Sequence, residues 1–349
     1  VNKVVKLFLT ALLLWLVFIA PPATVFGLLN GIPLLTAWWV SMVFLPFPAL
    51  LFVSVFRSKS ATYRWWVFQY LGFSSVGFTA AAIGVASSLF LANKLAGLIA
   101  LGLFSVFYLM SLLAAHRLHL VPLNIISEKI TKPLRVVHIS DVHIGSRRPA
   151  YLDKVVSKVN TQQPDMLVIT GDLIDENVAD GALKSLASLP CPVFYSSGNH
   201  ERYVDYKRAL KNIASHGVTV LGNEATVNQG IHIIGVEDCQ QVGQAKEALE
   251  TLCRANESSV NSFRILLYHQ PDLWAAAIEQ NIDLMLAGHT HKGQVWPFEW
   301  FVRMRYKHVA GHFQSGLSHL FVSQGTGTWG PILRFGTRCE MTVIDLQSE

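Results

Sequence analysis

The first acidic residue in this chain of 349 is Glu128. None of its 23 Asp and Glu residues, and only seven of its 28 Lys and Arg, fall within the first 120 positions, where apolar runs dominate. A run of about 20 apolar residues is long enough to cross a bilayer as a helix, and lipid forces a crossing segment to satisfy every backbone group internally. Four runs fit, at residues 4–20, 34–56, 65–92 and 95–115. The sequence therefore predicts an all-α membrane domain of four transmembrane helices over residues 1–120. Pro33, Pro46 and Pro48 should kink the second run, and only Asn93-Lys94 divides the third from the fourth, which predicts a tight hairpin. Trp38, Trp39, Trp65 and Trp66 suit the membrane–water interfaces. The basic start could open a signal peptide, but three further runs follow, which favours an uncleaved anchor. No Asp, Glu, Lys or Arg lies well inside a run, so the helices read as an anchor rather than an ion or proton conduit.

The formal net charge of +5 comes from this first third. The remainder holds 21 basic residues against all 23 acidic ones, so it offers no basic surface for nucleic acid. Lys3, Lys6, Arg57, Lys59, Arg64, Arg117, Lys129, Lys132 and Arg135 fall on one side of the expected spans, and Lys94 alone on the other. That asymmetry predicts a multi-pass membrane protein with both ends and the soluble part in the cytoplasm. Cys191, Cys239, Cys253 and Cys339 show no C-x-x-C spacing, which argues against a zinc ribbon or thioredoxin-like motif and fits a reducing compartment.

Residues 121–134 read as a connector, and the texture then changes over 135–349. Strands are expected at RVVHIS, DMLVIT, VFYSS, IHIIGV, RILLYH, DLMLAG, LFVSQG and EMTVIDL, with helices near YLDKVVSKVNTQ and GALKSLASL. Such alternation indicates layered α/β architecture. Five of these strands are followed by lone-pair donors: Asp141 and His143; Asp172; Asn199 and His200; His269; His289 and His291. In extended backbone, residues two apart face one side, so each D-x-H or H-x-H pair could converge. Singly, each fragment also has an ordinary reading. Asp141 could cap a helix, Asp172 could sit in a turn, Asn199 could hold a left-handed turn, and His138 and His269 could be core histidines. Together they make a complete metal-ligand inventory at strand ends, where α/β folds collect ligands.

The ordered series D-x-H, G-D, G-N-H, a lone His and G-H-x-H reads here as Asp141/His143, Gly171/Asp172, Gly198/Asn199/His200, His269 and Gly288/His289/His291. It resembles the calcineurin-like metallophosphoesterase superfamily over residues 134–346. GTGTWGPILRFGT and GHTHKGQVWPF resemble its branch of membrane-associated bacterial phosphodiesterases. The resemblance implies a four-layer α-β-β-α sandwich with a dinuclear site at the rim of its two sheets. It implies that Asp141, His143 and His291 bind one divalent ion and that Asn199, His269 and His289 bind the other. Asp172 would bridge the pair, which stands about 3.5–4 Å apart in such sites. His200 would stabilise the phosphoryl oxygens or protonate the leaving group. Nitrogen and oxygen ligation without thiolate fits Mn²⁺, Fe²⁺ or Zn²⁺ alike, and the resemblance implies Mn²⁺ first. The implied reaction is hydrolysis of a phosphodiester or pyrophosphate by hydroxide held between the ions, with no covalent phospho-enzyme.

A catalytic domain tethered to spans works close to lipid. Residues 295–313, VWPFEWFVRMRYKHVAGHF, interleave aromatics with Arg303, Arg305, Lys307 and His308, and either contact headgroups or pack on the domain. The expected partners are membrane lipids and a phosphodiester or pyrophosphate substrate on a lipid or lipid precursor, with UDP-2,3-diacylglucosamine of lipid A synthesis as a specific candidate. A nuclease and a non-catalytic membrane module are the competing classes. Asp175, Glu201, Glu237 and Asp238 receive no role from spacing. For orientation, a fluorescent-protein reporter fused after Glu349 should be active and a reporter that works only outside the cytoplasm silent; the opposite pattern rejects the assignment.

Overall fold

The computed structural model describes residues 3–58, 60–239, 241–256 and 261–349; Lys59, one of the loop cations, lies outside the described residues. The chain divides into two compact units. One holds the helices through Ala114 with Val295–Pro297 and Gly330–Gly336; the other holds Ala115–Gln294, Phe298–Trp329 and Thr337–Glu349.

The first unit contains α1 (Lys3–Phe18), α2 (Ala20–Asn30), α3 (Leu34–Ser41), α4 (Phe47–Arg57), α5 (Ala61–Ser88) and α6 (Asn93–His116). The expectation of four transmembrane helices is corrected. Thr62–Ser88 and Asn93–His116 are long and apolar enough to cross a membrane, and a third span exists only if α1 and α2, bent by 46°, count as one. The bend follows from Pro21 and Pro22 in the first turn of α2, which cannot donate to the carbonyls four residues earlier. The run at 34–56 breaks into pieces. α3 has 8 residues and α4 has 11, with Pro46 between them, and at about 1.5 Å per residue neither approaches the roughly 30 Å of a hydrocarbon core.

The two late segments are knit into this unit. Val295 and Leu333 are buried with Val76, and Phe104, Phe107, Tyr108 and Phe335 pack around them. The Gly330 carbonyl accepts from Gln69 at 3.5 Å, the Ile332 amide donates to the same side chain at 3.3 Å, and the Arg334 amide donates to the Ser111 carbonyl at 3.0 Å. Gly72 permits this approach, since a Cβ there would stand 2.5 Å from the Pro331 side chain.

The second unit contains strands β1 (Leu118–Ile126), β2 (Leu134–Ile139), β3 (Met166–Thr170), β4 (Val193–Ser196), β5 (Val218–Val220), β6 (Glu224–Asn228), β7 (Ile231–Gly235), β8 (Arg264–Leu267), β9 (Leu284–Ala287), β10 (Gly311–Ser315), β11 (Ser318–Val322) and β12 (Cys339–Gln347). Its helices are α7 (Pro149–Asn160), α8 (Tyr206–Ala214), α9 (Val242–Ala255), α10 (Trp274–Glu279) and α11 (Glu299–Arg305). The strands form two six-stranded sheets, ordered β1-β12-β2-β3-β4-β5 and β10-β11-β9-β8-β7-β6. β2 to β5 run parallel, as do β7, β8, β9 and β11.

Period-two alternation sorts the side chains of each central strand. Met166 and Val168 of β3 meet Ile265 and Leu267 of β8 and Leu284 and Leu286 of β9 in the core between the sheets. Leu167 and Ile169 face the other way, onto Leu152, Val155 and Val159 of α7 and Ile213 of α8. Leu266, Met285 and Ala287 pack on Leu249 of α9 and Ala277 of α10. Buried on both faces, these strands read in sequence as unbroken apolar runs. The layers are α-β-β-α, as expected.

Two expectations fail here. GALKSLASL forms only a 3-10 turn at Lys184–Ser188, because Pro190 and Pro192 leave no room for a longer helix. Within the connector at 121–134, residues 121–126 are strand instead: β1 pairs in parallel with β12 along nine residues and sends Leu123 and Ile125 into the inter-sheet core. Pro122 argues against a strand in sequence, yet β1 is a sheet edge, where a missing N–H is tolerated. Ile125→Asp should accordingly lower unfolding stability by about 3 kcal/mol or more, read as the denaturant midpoint of the detergent-solubilised protein; a midpoint like wild type would restore the connector.

Candidate metal centre

Every candidate site residue, the seven expected ligands and His200, follows the carboxyl end of a parallel strand. Asp141 and His143 follow β2, Asp172 follows β3, Asn199 and His200 follow β4, His269 follows β8, and His289 and His291 follow β9. The first three strands belong to one sheet and the last two to the other.

The pairs do not converge by extended alternation. Asp141 (φ 55°), His143 (56°), Asp172 (50°), His289 (69°) and His291 (46°) are all left-handed, a conformation that costs a non-glycine residue about 1–2 kcal/mol. Backbone bonds hold them there. The Asp141 amide donates to the Gly171 carbonyl at 3.1 Å and the His143 amide to the Asp172 carbonyl at 3.0 Å. The His289 amide donates to both Asp141 carboxylate oxygens at 3.1 Å. Asn199 is right-handed (φ −75°), so the left-handed-turn reading of it does not hold.

Two glycines make room. A Cβ at Gly198 would collide with Asp172 Oδ1, and one at Gly288 with Ser140 Oγ and Asp141 Oδ2. The glycine before each of these ligand motifs is thus a condition of close approach.

Asp172 lies at the middle. Its Oδ1 accepts from the His200 amide at 2.8 Å. Its Oδ2 lies 3.1 Å from His269 Nε2, 3.8 Å from His143 Nε2 and 3.9 Å from His200 Nε2. On one side, His291 Nε2 stands 3.2 Å from Asp141 Oδ1 and 3.0 Å from His143 Nε2, so two imidazole nitrogens address the same point. On the other, His289 Nδ1 stands 2.8 Å from Asn199 Oδ1. Donor atoms of Asp141, His143 and His291 lie within 4.8 Å of one another, and so do those of Asp172, His269 and His289. All eight residues are brought together. His289 and His291 fall in different triads. Asn199, His200 and His289 are partly exposed and form the open side; Asp141, His143, Asp172, His269 and His291 are buried.

This donor set fits divalent cations. His269 Nδ1 is engaged by the Thr170 carbonyl at 2.8 Å, which turns its buried Nε2, with no hydrogen-bond partner among the described residues, toward Asp172. Burial pushes the Asp172 carboxyl up to about 7 against the pull of His269, and Glu201 and Asp141 add to the rise. Burial opposes ionisation of Asp141 too, but the rings of His291, His269 and His143 hold it well below the usual carboxylate range. Burial and His143 hold His200 well below the ordinary imidazole value. Cations between these groups would offset the desolvation and keep both carboxylates ionised.

The four unassigned acids take supporting places. Asp175 sits behind His143, 3.4 Å from Nδ1, and accepts from the Ser146 amide and hydroxyl. Glu201 is fully buried and accepts from the amides of Asp172 (3.1 Å), Ile174 (3.1 Å) and Gly198 (2.8 Å), which ties two ligand loops to one carboxylate. Asp238 accepts from Gln270, which accepts from Tyr306, whose ring packs on His289; Glu237 pairs with Arg202. The sequence signal for Asp175 and Glu201 was closeness alone, each within three residues of a candidate ligand; their burial and hydrogen bonds come from the tertiary structure. His138 is a core histidine, bonded to Thr170 and pushed down to about 3 by burial.

Residues 134–293 match the calcineurin-like phosphoesterase family. An uncharacterized metallophosphoesterase of Campylobacter jejuni, Cj0846, is 34% identical over 63% of this chain and 61% of its own length, so the match spans about three fifths of that relative. The phosphodiesterase YaeI of Escherichia coli is 30% identical over 61% of this chain and 82% of its own. A Bos taurus transmembrane protein with metallophosphoesterase domain is 31% identical over 62% of this chain and 53% of its own.

Gly198→Ala should displace Asp172 and weaken binding of divalent cations by roughly 10- to 100-fold while leaving circular dichroism unchanged. Titration calorimetry with Mn²⁺ checks this, and wild-type affinity would show that the close approach is dispensable.

Proposed function

Because the chain belongs to the calcineurin-like phosphoesterase family, we propose that it is a membrane-anchored, metal-dependent phosphohydrolase that splits a phosphodiester or pyrophosphate carried by a lipid or lipid precursor. The observation that carries the reading is Asp172 Oδ2, which is shared between histidines rising from both sheets. Asp141, His143 and His291 would hold one divalent ion, Asn199, His269 and His289 the other, and Asp172 both. Such nitrogen and oxygen ligands admit Mn²⁺, Fe²⁺ or Zn²⁺, and Mn²⁺ is proposed first on the family resemblance alone. When bound, the ions would supply Lewis acidity toward phosphoryl oxygen and ionise water near neutral pH.

The chain's own groups do the positioning. Glu201 and Asp175 fix the loops and the His143 ring, so the ligand geometry is set before substrate arrives. His200 stands at the open side, where its ring can donate to a phosphoryl oxygen or to the departing oxygen. Tyr203 and Trp329 flank that ring, at 5.0 and 5.5 Å between centroids, and present an apolar wall to the group that leaves.

Support for the lipid side comes from the two long apolar helices and from relatives named as transmembrane proteins. The cytoplasmic face of a bacterial inner membrane is the proposed location. Arg57, Arg64 and Arg117 flank the α5–α6 hairpin at its open end, against Lys94 at its turn. A near-neutral catalytic part speaks against a nuclease, and a complete donor set against a non-catalytic module. UDP-2,3-diacylglucosamine joins a pyrophosphate to acyl chains and is one test substrate for this class.

Asp172→Asn should abolish metal-dependent hydrolysis of bis-p-nitrophenyl phosphate while expression and membrane insertion persist. Near-normal turnover by that variant would reject the shared-carboxylate centre. Equal wild-type rates on soluble and lipid-borne phosphodiesters would reject the lipid preference alone.

A further inference from the structure

Helix α11 leaves large apolar side chains uncovered. Trp300 is 60% exposed, Phe301 40% and Met304 84%. At about 100° per residue these three lie within an arc of about 100°, with Arg303 and Arg305 on its two sides. Val302, on the opposite side, is half-buried. The helix is therefore amphipathic with its apolar arc turned outward, the reverse of α7, whose Leu152, Val155, Val156 and Val159 face the core. An apolar arc bordered by arginines, whose long stems can lie along it with the charge at the rim, is the pattern of a helix lying in the plane of a membrane surface.

Covalent continuity names the occupant. Val295–Pro297 belongs to the unit of apolar helices, where Val295 is buried and Trp296 packs against Phe78 of α5 at 6.4 Å between centroids. α11 begins at Glu299, two residues after Pro297, and two residues of chain reach at most roughly 7 Å. Trp300, the first residue of the exposed arc, is three residues along the chain from Pro297, a covalent tether of at most roughly 11 Å. The charge along the arc's edge suits an anionic leaflet: Arg303, Arg305 and Lys307 fall within five residues, and Glu299 and Asp272 pair with the first two, which leaves the edge net positive.

We propose that α11 is an in-plane bilayer contact, with Trp300, Phe301 and Met304 entering the headgroup boundary of an anionic leaflet. The inference rests on the membrane-anchored reading of the helical unit but not on phosphohydrolase activity. α11 begins eight residues after His291, so the contact would hold the chain segment leaving the metal centre beside the lipid.

The test uses the full chain reconstituted into vesicles of phosphatidylethanolamine and phosphatidylglycerol, with and without lipid carrying a doxyl quencher near the headgroup. Tryptophan emission of wild type is compared with that of Trp300→Phe, a substitution mild enough to keep the fold. The wild-type minus variant signal should fall by at least about half with the shallow quencher, as expected for a ring seated at the boundary. A difference signal indifferent to the quencher overturns the proposal. A difference signal that falls without quencher as the protein-to-lipid ratio rises also overturns it, in favour of a second copy of this chain as the occupant. Neither reading requires turnover, so an inactive protein leaves the test intact.

Discussion

One carboxylate ties the two sheets together. Asp172 follows β3 in the first sheet, and its Oδ2 faces His269, which follows β8 in the second. Its Oδ1 is taken by the His200 amide, and its own amide donates to Glu201. A buried carboxylate must be compensated by donors or cations, so the ends of both sheets are drawn to this point. Glu201 extends the same logic backward, because three amides from two loops meet on its oxygens.

That convergence is held against backbone strain. Five of the converging positions are left-handed without being glycine, and the strain is stored in loops whose neighbouring strands are buried on both faces. Close packing on the two sides of each sheet leaves the strands little freedom to relax. Gly198 and Gly288 remove the last obstacle by letting one loop's backbone touch another's carboxylate. The site is thus pre-shaped by a rigid scaffold rather than assembled by whatever binds there.

The helical unit is more than an N-terminal appendage. Val295, Leu333 and Phe335, distant in sequence, complete its apolar cluster with Val76, Phe104 and Phe107. Removing residues up to Ala114 would leave these side chains uncovered, and an exposed cluster of that kind is an aggregation hazard. The strand β1, which follows α6 after one residue, belongs to the sandwich core through Leu123 and Ile125.

Much of this was legible in the residues. Eight strands announced themselves as largely apolar runs because most of their positions are buried, and the Asp, Asn and His residues that converge stood out because metal-binding chemistry admits few residue types. An acid-free first third declared its apolar setting for the same compositional reason. What the residues could not say depended on contacts between distant segments. Whether a proline-broken run still spans, whether Pro122 sits at a sheet edge, and whether Asp175 and Glu201 are buried beside a ligand are decided by neighbours far along the chain. So is the left-handed backbone of the ligands: sequence spacing suggested extended alternation, whereas the observed turns exist only because Gly171, Asp172 and Asp141 offer their partners across the cleft. Local chemistry chose the groups, and only tertiary packing could bring their lone pairs to one point.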